Sequence, residues 1–304
     1  MSCTSLEKII AVEARKYSEK SETNINLIKK LENHGMILHH VGLLLLTPDC
    51  IERGIYNDII DFIIAQTGAT ICSARILQLD LYSVEELYKN AIQKKMAARE
   101  KVYLWLLEKM MSQGPAMILL LYCNNHEEDF FYQTVLRLKK ISDSKTASIR
   151  DKFVSFGKVL NIVHSPDDLH SFLREAMVFF QEEELVNTFN SIPSIPIETV
   201  KNLLSGYGVK EELPLKIQSY FLDRIDSTID ILLSEIMSAK CKSALVMRKK
   251  QKIEDLQLIK NNINSGNIRI NLAKLSDELK SLDVCHTQWE MIFLLNLLLF
   301  GLAE

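Results

Sequence analysis

Proline and glycine are scarce in this chain, 6 and 10 of 304 residues. Few tight turns can therefore be built, and the abundance of Leu, Ile, Lys and Glu favours a helix-rich protein. Cysteine is sparse as well. Cys3, Cys50, Cys72, Cys123, Cys241 and Cys285 are widely scattered, and no pair has the close spacing of a zinc knuckle or a CxxC redox site. The N-terminus shows neither a signal peptide nor the Arg-rich, acid-poor character of a transit peptide. Reduced thiols in the cytoplasm are the expectation. The seven histidines include no ligand-like spacing, so no metal site is expected. Net charge is also small, −3, which gives no reason to expect a nucleic-acid partner. The basic stretch 248–252 reads as a solvated helix surface, with nucleic acid or an acidic protein surface as the lesser alternatives. No apolar run is long enough to span a bilayer. The longest, Met291 to Leu302 with a break at Asn296, falls short of the roughly 20 residues required. It is expected to be a buried helix or an oligomer seam, with a tail anchor the minor alternative and no membrane partner.

Periodicity divides the rest. Residues 5–34 carry apolar positions at helical spacing, Leu6, Ile9, Ile10, Val12 and Ala14, and predict an N-terminal helix that ends near Gly35. Val41 to Leu46 is an unbroken apolar run closed by Thr47-Pro48-Asp49, the pattern of a central strand covered on both faces. A helix is predicted over 55–66, stopping at Gly68, and a strand over 69–79. Helices follow over 83–99, opened by a capping box of Ser83 and Glu86, and over 101–111. Gly114-Pro115 leads into a third strand, Ala116 to Tyr122. A helix over 127–138, a loop over 139–152, a fourth strand at Lys152 to Phe156 and a helix over 167–180 opened by Asp167 complete the order. The sum is an α+β, ferredoxin-like βαββαβ plan: a four-stranded antiparallel sheet with helices on one face.

Beyond Asn190 the character changes. Ile192-Pro193-Ser194-Ile195-Pro196 is a stiff, extended linker, because each residue before proline is pushed away from the helical region. Helices are predicted over 197–205, 213–239, 241–264 and 271–302. The division is then 1–36 for an N-terminal helix, 37–190 for the α+β domain and 191–304 for an all-α extension.

The scaffold by itself implies no function. The side chains threaded along it carry more information. Thr47-Pro48-Asp49 is followed by Arg53-Gly54, Tyr88, Tyr103 and Gly114-Pro115. Then come Ser148-Ile149-Arg150 and Asn161-Ile162-Val163-His164-Ser165-Pro166-Asp167. Glu175 lies on the next helix, and Phe179-Phe180-Gln181-Glu182-Glu183-Glu184-Leu185-Val186 closes the series. In this order and spacing, over about 150 residues, the series resembles the nucleoside diphosphate kinase family. That family's motifs are Asn-x-x-His-Gly-Ser-Asp around a phosphorylated histidine and Trp-Phe-x-Pro-Glu-Glu-Leu-Val at the close.

The resemblance implies a ping-pong reaction in which a histidine takes the γ-phosphate of one nucleoside triphosphate and passes it to a diphosphate. Imidazole suits this role because one ring nitrogen attacks while a hydrogen bond at the other fixes the tautomer. His164 stands at the nucleophile position and Glu175 at that of the orienting carboxylate. Asn161 matches the sugar-binding position, Arg150 a phosphate arginine and Tyr88 a tyrosine beside the histidine. Tyr103 stands where the family stacks a phenylalanine on the base. Mg2+ would accompany the nucleotide. Family members with long helical extensions and altered sites are often ciliary or axonemal, and by that analogy the helices over 197–304 are expected to bind a protein partner. The family also implies a homo-oligomer.

The departures are as informative. The family's Lys-Pro-Asp is Thr47-Pro48-Asp49, so the lysine that meets the transferring phosphate is missing. A second phosphate arginine falls at Gln133 and an adjacent threonine at Lys139. Ser165-Pro166 replaces Gly-Ser, removing a hydroxyl that helps hold the glutamate, and an insertion near Gln93 to Glu100 changes the lid. Losing one positioned charge typically costs about 10²–10³ in rate. Lys139, Lys140 and Arg137 lie close enough in sequence to supply replacements. The expectation is a divergent domain with weak or absent phosphotransfer and an assembly role. An active kinase through phospho-His164 and a nucleotide-binding sensor are the alternatives.

Overall fold

The computed structural model describes residues 27, 29–31, 38–94, 106–124, 131–139, 148–153, 155, 159–207, 217–238, 243–265, 289–292 and 294–295. Most of the predicted N-terminal helix, Tyr103, Lys140, most of the insertion near Gln93 to Glu100 and the end of the apolar run beyond 295 lie outside them.

Six leucine-rich residues organise the fold. Strand β1 (Val41–Leu46) is buried along its whole length and occupies the centre of a four-stranded sheet of order β2-β3-β1-β4. Its partners are β3 (Ala116–Tyr122), with Leu44 opposite Leu119, and β4 (Val163–His164), with Leu45 opposite His164. Strand β2 (Thr70–Leu77) pairs with the outer side of β3. Every pairing is antiparallel, and the order is that of a split βαβ plan.

Side chains alternate along β1, so a run this apolar needs cover on both faces. Leu44 and Leu46 join Met117 and Leu119 in one core with Ile59, Ile60 and Ile63 of a helix over Tyr56–Thr67, and with Phe131 and Val135. Leu43 and Leu45 join Ile118 and Leu120 in the other, with Leu87, Phe172 and Leu173. The expectation of helices on one face is thus corrected: they pack on both.

The helices whose bounds lie within the described residues are, in chain order, α1 (Pro48–Glu52), α2 (Tyr56–Thr67), α3 (Leu81–Lys94), α4 (Phe131–Lys139), α5 (Ile149–Lys152), α6 (Leu169–Phe179), α7 (Glu182–Ser191), α8 (Ile197–Asn202), α9 (Ile217–Ser238) and α10 (Ser243–Ser265). Two start signals differ from the sequence reading. Helix α3 begins two residues before Ser83, whose backbone N–H and hydroxyl both donate to Asp80 Oδ1. Helix α6 is capped by Asp168, which accepts from the Ser171 N–H at 2.7 Å, one residue later than expected. The helix α2 stops where predicted, with Gly68 in the left-handed region at φ 63° and its N–H on the Ile64 carbonyl, a conformation glycine adopts without steric cost.

The largest correction concerns the fourth strand. Residues 149–152 form helix α5, started by a reciprocal capping box in which Ser148 and Asp151 each accept from the other's backbone N–H. That box commits the segment to a helical turn. The sheet's fourth strand is instead the two residues Val163–His164.

The extension is joined to the domain through its core. Ile225, Leu256, Leu294 and Leu295 belong to the same contiguous buried cluster as Leu120 and Phe172. Met291 to Leu295, the described part of the long apolar run, is buried wherever its exposure is described. No helix among the described residues is long and apolar enough to cross a membrane.

Candidate active site

The short strand β4 sets His164 beside the end of β1 through a pinned corner. Ile162 has φ 57°, a left-handed conformation that costs a β-branched residue about 1–3 kcal/mol. Both its peptide groups are held. Its N–H donates to Asp49 Oδ2 at 3.1 Å, and its carbonyl accepts the Thr47 N–H at 3.2 Å. Asp49 also accepts the Thr47 hydroxyl at 2.5 Å, and both residues are fully buried. Burial pushes the Asp49 carboxyl above its ordinary value, and the Thr47 hydroxyl and the Arg53 charge only partly oppose that. Thr47 is therefore turned onto Asp49.

His164 emerges from this corner with its side chain mostly covered. Its Nε2 lies 2.9 Å from Glu175 Oε2, which leaves Nδ1 without a hydrogen bond among the described residues. The Tyr88 ring packs on the imidazole with centroids 4.8 Å apart and planes tilted by 49°. Helix α3 supplies Tyr88 and α6 supplies Glu175. If the imidazole is neutral with its proton on Nε2, donated to the carboxylate, Nδ1 holds the lone pair. That is the arrangement a nucleophilic histidine needs.

The other sequence candidates divide. Arg150 donates to the Val163 carbonyl at 3.3 Å, next to His164. Asn161 is 4% exposed, and among the described residues its Oδ1 has no hydrogen-bond partner; the buried Ser165 Oγ likewise has none there. Lys139 is 5% exposed and donates to the Ser165 carbonyl at 2.6 Å, with Asp167 at 3.6 Å. It clamps the loop after the histidine. Arg137 is on an exposed face of α4 and bonds Thr134 of its own helix at 3.1 Å. Gln133 donates to the Tyr132 hydroxyl at 3.3 Å.

A family model described as nucleoside diphosphate kinase matches residues 41–185. Residues 41–185 are a nucleoside diphosphate kinase-family domain. The nucleoside diphosphate kinase of Staphylothermus marinus is 28% identical over 148 residues, which are 48% of this chain and 95% of that protein. The enzyme of Anaplasma phagocytophilum is 28% identical over 143 residues, 47% of this chain and 94% of its own. Among solved structures, the NDP kinase of Pyrobaculum aerophilum aligns with 48% of this chain and 97% of its own, at 21% identity and a TM-score of 0.38. The kinase-family domain thus occupies about half the chain, and the helices α8 to α10 lie outside the matched segment.

Two charged residues beside His164 and Glu175 were not read from the sequence as site candidates, and Glu86 was read only as part of a helix cap. Arg174 donates to Glu175 Oε1 at 3.1 Å and lies 3.9 Å from Glu86 on α3. Adjacency to Glu175 was the available signal for Arg174; nothing local pointed to Glu86. The closing segment is held by Arg75 of β2, which donates to the Phe179 carbonyl at 3.0 Å, stacks 4.5 Å over the Phe180 ring and pairs with Glu184.

Proposed function

We propose that the kinase-like domain carries out weak or no phosphoryl transfer through His164, and that the helical extension serves protein assembly. The observation that carries this reading is the pairing of an intact histidine with a depleted phosphate site. His164, Glu175 and Tyr88 are in contact, while Thr47 replaces the motif lysine and spends its hydroxyl on Asp49. Phosphoryl transfer relies on positioned positive charge at the phosphate. Lys139 is engaged by the Ser165 carbonyl and Asp167. Arg150 remains beside the histidine as the candidate phosphate contact, Asn161 as the candidate sugar contact and Tyr103 as the base platform.

Mg2+ would enter as part of the nucleotide substrate, on its phosphates. Assembly through residues 197–304, in cilia or axonemes, follows from the analogy with extended family members, as does a homo-oligomer of the domain.

Incubation with γ-labelled ATP tests the reading. Little or no acid-labile label on His164 is expected, and stoichiometric label overturns it in favour of an active kinase. A second reading, a sensor that binds nucleotide without transfer, is favoured by the buried Asn161 Oδ1 and Ser165 Oγ, which have no hydrogen-bond partner among the described residues. Nucleotide-dependent thermal stabilisation without label would select it, since a ligand of the native state raises apparent stability.

A further inference from the structure

Glu175 is 2% exposed, and its carboxylate has two side-chain partners among the described residues. Oε2 faces His164 Nε2 at 2.9 Å, and Oε1 accepts from Arg174 Nη2 at 3.1 Å. The same guanidinium approaches Glu86 Oε2 at 3.9 Å. Glu86 is two residues from Tyr88 on α3, and Tyr88 packs on His164. Lys89 also binds Glu86, at 2.9 Å from Oε1 and 3.3 Å from Oε2. The groups thus form a closed ring: His164, Glu175, Arg174, Glu86 and, along α3, Tyr88.

We propose that Arg174 is a positioning residue for His164: its guanidinium holds Glu175 by one oxygen, offsets its charge, and ties the helix carrying Tyr88 to the helix carrying Glu175. This rests on the reading of His164 and Glu175 as the retained pair of a kinase-like site. A buried carboxylate with one oxygen committed to a charge-assisted bond loses rotational freedom, so the other oxygen stays on Nε2. Its charge acts in the same direction. A bare carboxylate against imidazole favours the imidazolium, which has no lone pair to attack with. A guanidinium on the far oxygen lets Glu175 orient the ring while weakening that pull. Pro166 stands where the family has a serine hydroxyl for this glutamate, and Arg174 occupies the oxygen left open.

The charged groups around His164 are Glu175 and Arg174 on α6, Glu86 and Lys89 on α3, Arg150 on α5, and Lys139 with Asp167 at the following loop. Of these, Arg174 and Glu86 act on Glu175 with opposite sign, which gives a signed test. The full chain, labelled with 15N in its histidines, is titrated by NMR without nucleotide, and His164 is assigned by its loss in His164→Gln. Arg174→Gln is expected to raise the ratio of cationic to neutral His164 at a fixed pH about tenfold, the effect of one charge at this range in a partly shielded site. Arg174→Lys is expected to restore most of it. Glu86→Gln is expected to move the ratio the other way, and it keeps the test alive if Arg174→Gln fails to fold. An unchanged ratio in Arg174→Gln, or a Glu86→Gln shift in the same direction, overturns the proposal. Since no nucleotide is present, stoichiometric ATP label on His164 would overturn the proposed function without affecting this result.

Discussion

The Asp49 carboxylate accepts the backbone N–H of Ile162 at 3.1 Å, across 113 positions of sequence. This bond ties the end of β1 to the turn that delivers His164 and stabilises the left-handed φ of Ile162. Asp49→Ala leaves a buried N–H and the Thr47 hydroxyl without their acceptor. It is expected to lower stability by about 2–4 kcal/mol, read from urea unfolding.

The same carboxyl predicts a pH dependence. Its folded value lies above the ordinary 3.8 because burial disfavours the charged form. The folded state therefore binds the proton more tightly than the unfolded chain. The contribution of Asp49 is fully present below the ordinary value and is lost as pH rises from there through the raised folded value. Asp49→Asn removes this dependence. The stability of the wild type relative to Asp49→Asn should fall as pH rises above about 4, and a difference that grows with pH would contradict the assignment.

Thr47→Lys tests whether the missing charge limits transfer. If it does, acid-labile label from γ-labelled ATP should form at least tenfold faster, since one such charge is typically worth about 10²–10³. An unchanged rate in a variant of native stability would place the limit elsewhere.

Lys139→Met separates a clamp from a phosphate ligand. Loss of its bond to the Ser165 carbonyl should cost about 1–3 kcal/mol in unfolding. As a clamp, it should alter nucleotide affinity at high and low salt alike; a salt-dependent loss confined to the triphosphate would mark direct phosphate contact.

Leu294→Ala probes the extension. Leu294 is fully buried in the core that also holds Leu120 and Phe172, so about 2–5 kcal/mol should be lost. Because the cluster is shared, hydrogen exchange at Leu120 should accelerate as well. Protection of β3 unchanged in the variant would show two independent units.

The sequence by itself determined the sheet's centre, most of its helices and the pairing of His164 with Glu175. An unbroken leucine run and 3.6-residue periods are local signals, and His164 and Glu175 stand in a motif of fixed spacing. The fourth strand was invisible for a physical reason: two residues have no period, and the apolar stretch at 152–156 offered a false one. Only the tertiary structure decided which groups meet. It set Arg174 between Glu175 and Glu86 and turned Thr47 onto Asp49. It also engaged Lys139 with a carbonyl. Contacts between helices distant in sequence depend on how the two faces of one sheet are covered, and no spacing within a single segment records that.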